Sequence, residues 1–221
     1  MSQKTNQFGE NVEGFTIPVL NEREIRAASG IMFVYALLSF LFIAFKGNFV
    51  VAKFFVLSFI IDFVIRVFIN PKYSPMLILG RMIVKNQTPE YVGAPQKKFA
   101  WKIGIGLSST MFVLMNVFNT FSIFTGLICL ICLIFLFFES SFGICLGCIF
   151  YKYFTKEPVQ YCPGEVCDIK DRTSIQEVSK TQVLIFIGFI VSITLLIFAL
   201  KSTYASQPEN LWVKMGLKEK K

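Results

Sequence analysis

Four cysteines have the spacing of a thiol or metal site. Cys145 and Cys148 form a C-x2-C pair with flanking glycines, and Cys162 and Cys167 form a C-x4-C pair around a Pro-Gly turn. A C-x2-C pair can cycle between dithiol and disulfide, and four thiolates on two turns suit tetrahedral zinc. The pattern therefore indicates thiol redox or sulfur-transfer chemistry, or metal binding.

Three interpretations of these cysteines stay open. In the first, Cys145 and Cys148 are the reactive pair, and Cys162 and Cys167 resolve or exchange with them. In the second, all four bind zinc or an iron–sulfur cluster that pins the loop to the end of a helix. In the third, they are incidental. A thiol that follows the C-terminal end of a helix meets a negative dipole, which opposes the redox interpretation unless a new helical turn begins at Gly143.

A second C-x2-C pair, Cys129 and Cys132, lies within a run of Leu and Ile. Free cysteine in such surroundings behaves as a small apolar residue. We therefore assign this pair to helix packing and not to a site.

Charged residues inside apolar stretches form a second candidate cluster. Charges at lipid depth are costly and usually mark function or pairing. Asp62 and Arg66 are four residues apart on one helix face, and Glu139 lies at a comparable depth on another predicted helix. We expect Arg66 to bridge Asp62 and Glu139 close to Cys145, either as a structural link between helices or as a proton or anion relay for the thiols.

The composition indicates an integral membrane protein. Of 221 residues, 54% are hydrophobic and 16% are charged, whereas a soluble domain carries about a quarter charged residues. The chain has no His, which excludes Ser-His and Cys-His nucleophile pairs. Its net charge of +8 fits basic residues at a lipid surface better than nucleic-acid binding. We expect an all-α, polytopic bundle that contacts the lipid bilayer and binds no nucleic acid.

Five transmembrane helices are predicted from apolar segments of about 20 residues, the length that crosses a bilayer. Two helices share residues 99–142, with a break near Asn116, Asn119 and Thr120. The full prediction is a polar N-terminus (1–26), a four-helix core (27–148), a cysteine-containing loop (149–182), a final helix (183–200) and a basic tail (201–221).

The distribution of Lys and Arg predicts the orientation. Most of the 22 basic residues lie on the N-terminal side of this topology, which predicts a cytoplasmic N-terminus. The basic C-terminal tail disagrees with that rule, so four spans plus an interfacial C-terminal helix is the alternative.

Several segments resemble a known family. They are residues 21–30, the Asp62 and Arg66 segment that leads into Asn70-Pro71 and Ser74-Pro75, residues 94–101, and residues 139–151 with their Cys-Leu-Gly-Cys. Together they resemble the bacterial membrane family catalogued as domain of unknown function 4395, over roughly residues 18–167. The resemblance implies a location in the bacterial inner membrane. Because some members are found beside thioredoxin-like or rhodanese proteins, it also implies thiol or sulfur chemistry with such a protein as partner.

The function expected from the sequence is therefore that of a thiol-redox or sulfur-handling membrane partner. Two alternatives stay open. One is a membrane scaffold or interaction protein with a structural four-cysteine metal site, and the other is a small transporter subunit that uses the intramembrane charges.

Overall fold

The computed structural model of the chain describes residues 8–155 and 178–216. Within these ranges the fold is a bundle of helices, which confirms the predicted all-α class. The helices are α1 (Glu22–Lys46), α2 (Val50–Val64), α3 (Pro75–Val84), α4 (Ala94–Met111), α5 (Ile123–Phe137), α6 (Leu146–Thr155), α7 (Lys180–Tyr204) and α8 (Leu211–Lys214). The short strands are β1 (Val19–Asn21), β2 (Tyr91–Gly93), β3 (Thr120–Phe121) and β4 (Glu209–Asn210).

Three of the helices continue as a π-helical turn. The extensions are Ile65–Ile69 after α2, Phe112–Val117 after α4 and Phe138–Phe142 after α5. The predicted break inside the long apolar run is confirmed, because the extension of α4 ends at Val117 and α5 begins at Ile123. Asn119, between them, has a left-handed φ of +49°, a conformation that Asn tolerates better than most residues.

Five helices of the described residues run from one end of the bundle to the other. We call the end that carries β1 and β2 the proximal end, and the opposite end, with β3 and β4, the distal end. The last of the five, α7, begins beside the proximal Lys72, whose carbonyl accepts a hydrogen bond from Gln182 over 3.0 Å. It ends at the distal side, where the Tyr204 hydroxyl accepts one from Asn116 over 2.9 Å.

Four helices of the described residues are long and apolar enough to cross a membrane. They are Glu22–Lys46, Ala94–Val117, Ile123–Phe142 and Lys180–Tyr204. The helix formed by α2 and its π turn also runs the length of the bundle, but it contains Lys53, Asp62 and Arg66, all buried. The chain is thus a membrane protein, and the count of five spans stays a prediction that depends on this charged helix.

Apolar side chains cover both the inside and the outside of the bundle. Phe55, Phe59 and Phe63 of α2 are buried in the core, whereas Leu195 and Phe198 of α7 are 63% and 74% exposed. A water-soluble fold would bury most such side chains. Their exposure along spanning helices is what a lipid surrounding requires.

At the proximal end, α3 packs tightly against α1. Gly80 makes this approach possible, because a Cβ at this position would lie 2.5 Å from the backbone oxygen of Glu24. A buried ion pair of 3.0 Å between Arg81 and Glu24 joins the same two helices. Strand β1 pairs antiparallel with β2 and connects the N-terminal segment to the start of α4.

The contact at Gly80 gives a test of this packing. Gly80→Ala is expected to destabilise the fold by about 1–3 kcal/mol, because the added methyl group must displace backbone. The matched control is Gly106→Ala in α4, where a Cβ meets no atom within 4 Å. Thermal unfolding in detergent micelles measures both, and equal melting temperatures for the two variants would contradict the packing described.

Candidate functional site

Cys145 lies directly before α6, at the N-terminal end of that helix. The π turn after α5 ends at Gly143, whose φ of +68° is left-handed, and the chain then starts a new helix at Leu146. The Cys148 N–H donates to the sulfur of Cys145 over 3.3 Å and to its carbonyl over 2.9 Å. The dipole objection raised from the sequence therefore does not hold, because Cys145 faces the positive end of a new helix.

Close packing of α6 on α4 fixes the position of the pair. Gly147 lies between the two cysteines, and a Cβ there would be 2.5 Å from the Cβ of Ala100. Glycine thus lets the two helices touch. Cys145 is 8% exposed and Cys148 is half-buried, so the pair is shielded without being sealed.

A buried ammonium group joins three helices beside this pair. The Nζ atom of Lys97 on α4 lies 2.7 Å from Glu22 Oε2 on α1 and 2.8 Å from Glu139 Oε1 on the π turn after α5. The Ser29 hydroxyl donates to Glu139 Oε2 over 3.3 Å. Lys97 and Glu22 are 1% and 0% exposed. We call Glu22, Lys97 and Glu139 the lysine cluster.

The lysine cluster contains one more acid than base. The Oε1 atom of Glu22 has no hydrogen-bond partner among the described residues, and leaving a buried carboxylate oxygen without a donor costs free energy. A proton held within the cluster would remove this cost. The arrangement is therefore suited to accepting and releasing one proton.

The lysine cluster and the cysteine pair act on each other electrostatically. The Lys97 ammonium interacts with both thiols, and the Glu139 carboxylate acts on Cys148. A hydrogen bond to Cys145, together with burial, raises the pKa of the Cys148 thiol well above its ordinary value. Cys148 therefore keeps its proton at neutral pH, while the sulfur of Cys145 accepts a hydrogen bond from the Cys148 N–H.

A small cavity lies beside Cys145 and Glu139. It has a volume of about 40 Å³, and Cys145, Glu139 and Trp101 are among its lining residues. A space of this size holds about one to three water molecules. Cys145 and Glu139 thus border a common space.

The predicted bridge from Arg66 to Glu139 is wrong. Arg66 Nε lies 2.7 Å from Asp62 Oδ2, and the guanidinium carbon is 4.6 Å from the ring centre of Phe63 and 5.2 Å from that of Trp101. Arg66 is thus satisfied by a partner on its own helix and by two aromatic faces. Glu139 pairs with Lys97 instead.

The Asp62 carboxylate connects α2 to the start of α3. Its Oδ1 atom accepts hydrogen bonds from the Ser74 hydroxyl over 2.7 Å and from the Met76 N–H over 3.0 Å. Asp62 and Arg66 are 0% and 1% exposed. Through these contacts, Asp62 and Arg66 hold α2 against the start of α3.

Glu22 and Lys97 are not among the site residues predicted from the sequence, although a signal for both exists. Each lies in the first turn of its helix at the proximal end of the bundle, and Glu139 lies at the same end. A buried carboxylate requires a cation nearby, so the basic residues of the proximal end are the candidates, including those at the start of α4. Lys98 and Lys102 belong to that same set, and only the rotation of α4 distinguishes Lys97 from them.

Cys162 and Cys167 lie outside the described residues, together with most of the predicted loop 149–182. Within the described ranges, no three Cys, Asp or Glu side chains are grouped so that they could hold a metal ion. The four cysteines found there are free thiols. The zinc or iron–sulfur site therefore stays a prediction that depends on Cys162 and Cys167.

Comparison with known proteins gives a family and no activity. Residues 20–156 match the model of the family described as "Domain of unknown function (DUF4395)". This segment includes α1 to α6, and with them the lysine cluster and the cysteine pair, whereas α7 and the tail lie outside it. No curated protein and no solved structure is significantly similar to the chain.

The lysine cluster gives a test by substitution. Lys97→Met is expected to destabilise the fold by about 3–5 kcal/mol, because it leaves two buried carboxylates without a cation. Lys102→Met is the matched control on the same helix, since Lys102 is exposed, and its effect is expected to stay within about 0.5 kcal/mol. Chemical denaturation in micelles measures the difference.

Neutralising Glu22 and Glu139 tests whether unpaired charge causes the loss of stability expected for Lys97→Met. Adding Glu22→Gln and Glu139→Gln to Lys97→Met is expected to recover part of the lost stability, because the uncompensated charges are then gone. If the triple variant were less stable than Lys97→Met alone, the charge explanation would be wrong.

Proposed function

The chain belongs to the DUF4395 family, and on that premise we propose that it is a membrane thiol-redox or sulfur-handling protein whose reactive pair is Cys145 and Cys148. In this proposal it resides in the bacterial inner membrane with its N-terminus in the cytoplasm. The proximal end and the cysteine pair then face the cytoplasm. The proposed partner is a thioredoxin-like or rhodanese-like protein that reaches the pair from that side.

One observation carries the proposal, namely the position of Cys145 at the start of α6. The Cys148 N–H points at the Cys145 sulfur from 3.3 Å. Reactive cysteines of C-x2-C pairs are activated at helix N-termini, where backbone N–H groups and the dipole favour the thiolate. An incidental pair on a continuous helix would not meet these donors.

The proposed reaction is a two-step thiol–disulfide exchange. The Cys145 thiolate attacks one sulfur of the partner's disulfide, that S–S bond breaks, and the other partner sulfur leaves as a thiolate that takes up a proton. Cys148 then loses its proton and attacks the Cys145 sulfur of the mixed disulfide. The second partner thiolate leaves and is protonated, so the chain gives up two electrons and two protons and gains one disulfide.

The lysine cluster has a defined role in the second step. Cys148 must be deprotonated there, although its surroundings hold the proton. Glu139 acts on Cys148 and borders the same small cavity as Cys145, so we assign to the cluster the uptake of the Cys148 proton. Lys97 keeps this acid in place beside the pair.

Reaction with oxidised glutathione tests the pair. The reduced full-length protein is held in nanodiscs, treated with oxidised glutathione, and analysed by intact mass. The native chain is expected to lose two hydrogens and retain no glutathione. With Cys162 and Cys167 also replaced by Ser, so that neither can act as a resolving thiol, Cys148→Ser is expected to accumulate one glutathione adduct, and Cys145→Ser is expected to react at least about tenfold more slowly.

The matched control is Cys132→Ser, which leaves the pair intact and is expected to react like the native chain. An equal adduct in Cys145→Ser and Cys148→Ser would contradict the assignment of Cys145 as nucleophile. Stoichiometric zinc, together with thiols that do not oxidise, would contradict the redox proposal and support the four-cysteine metal site.

The role of Glu139 has its own test. Glu139→Gln is expected to slow the resolution of the glutathione adduct by about 100-fold, the usual contribution of a positioned base, without slowing adduct formation. Glu90→Gln, at a partly exposed acid of the same end, is the control. Alkylation at a series of reaction times, followed by mass measurement, separates adduct formation from adduct resolution. Equal slowing of both steps would show that Glu139 only supports the fold.

A further inference from the structure

A second and larger cavity lies in the distal half of the bundle, away from the cysteine pair. Its volume is about 240 Å³, and α1, α2, α4 and α5 all contribute to its walls. Small side chains face it from each helix, among them Ala36, Ala52, Ser108 and Gly126. The small side chains of these four helices thus enclose one common space within the bundle.

A bound apolar molecule would stabilise a cavity of this size. Apolar cavities of about 150 Å³ stay free of water and take up benzene, and the loss of stability from an empty cavity grows with its volume. Because the cavity is bounded by helices that span the membrane, the surrounding lipid is the nearest apolar material.

The walls offer almost no polar group to a ligand. The hydroxyls of Ser39, Ser108 and Thr125 line the cavity, but each already donates to a backbone carbonyl three or four residues earlier, over 2.8, 3.1 and 2.7 Å. Sugars, nucleotides and ions would lose their hydrogen bonds to water here without replacement. The cavity therefore suits a hydrocarbon ligand.

One polar group stands apart from this pattern. The Ser122 side chain also lines the cavity and is 8% exposed as a residue. Its oxygen faces the Thr125 N–H in the capping box of α5, but its hydroxyl proton has no acceptor among the described residues. Ser122 directly precedes α5 and so lies at the distal end of the cavity, whereas Cys132 lies two to three turns deeper. A fitting ligand has an oxygen atom near the membrane surface and a hydrocarbon chain that extends inward.

We propose that this cavity binds one acyl chain of a membrane glycerophospholipid, with the ester group at Ser122 and the chain directed towards Cys132. The ester carbonyl supplies the acceptor that the Ser122 hydroxyl lacks. The acyl chain fills the space left by the small side chains. The site is independent of Cys145 and Cys148, so it holds whether or not those thiols are redox-active.

Gly126 is the position at which to close the site. It lines the cavity, and a Cβ there would meet no atom within 4 Å, so the Leu side chain of Gly126→Leu can start without a backbone clash and extend into the cavity. Gly188→Leu is the matched control, because Gly188 on α7 is equally open and is not part of the cavity.

The probe is a phosphatidylglycerol with a diazirine midway along one acyl chain. The full-length protein is reconstituted in nanodiscs that contain this lipid, illuminated, and mapped by peptide mass spectrometry. Label is expected on Cys129 and Cys132, which line the cavity, and excess unlabelled phosphatidylglycerol is expected to compete. Gly126→Leu is expected to reduce this label by about tenfold, which corresponds to about 1.4 kcal/mol of binding free energy, and Gly188→Leu is expected to leave it unchanged.

Two results would overturn the proposal. Label spread over the outward-facing Leu130 and Ile134, with no effect of Gly126→Leu, would show only lipid at the surface of the bundle. Competition by a short-chain quinone and not by phosphatidylglycerol would show that the occupant is a different class of molecule. Thermal unfolding of both Leu variants checks that they remain folded.

Discussion

The ion pairs of the buried Lys97 ammonium with Glu22 and Glu139 are the interaction on which the proximal end depends. The three charged groups come from the start of α4, the start of α1 and the π turn that follows α5. Removing the Lys97 ammonium alone would leave two buried carboxylates without a cation. Because Glu139 is held in this way, the π turn ends at a fixed place, Gly143 interrupts the helix four residues later, and Cys145 arrives at the start of α6 beside the same ammonium group.

The same constraint explains how α2 carries three charges through an apolar bundle. Asp62 and Arg66 pair with each other near its proximal end. Near the distal end, the Lys53 Nζ atom donates to the Asn119 side chain over 2.6 Å and to the Ser206 carbonyl over 2.8 Å. Each charge is thus compensated by groups of the protein, and the compensation of Lys53 also ties the segment after α7 to the turn between α4 and α5. Charged side chains here stabilise particular contacts between helices, which apolar packing alone leaves interchangeable.

The sequence was sufficient for the fold class and the helical segments, because these depend on local composition and spacing. Asn119 illustrates this, since a polar, turn-forming residue inside an apolar run was enough to locate the break between α4 and α5. The sequence was insufficient to predict which charged residues pair with each other. Depth along a helix can be counted in residues, but rotation about the helix axis cannot, so Arg66 was assigned to Glu139 when Lys97 is the residue that faces it. The start of α6 depends on the left-handed backbone of Gly143. From the sequence, a new helical turn at this glycine is one possibility and not a prediction.

The reactive pair is the central claim, and its equilibrium with a redox buffer tests it most directly. The full-length protein in nanodiscs is equilibrated over a series of glutathione ratios, and the state of Cys145 and Cys148 is determined by alkylation and mass spectrometry. The account predicts one two-electron transition confined to these two cysteines, at a potential between about −270 and −120 mV, the range of catalytic thiol pairs. No transition, or a disulfide that stays oxidised below about −300 mV as structural ones do, would contradict it.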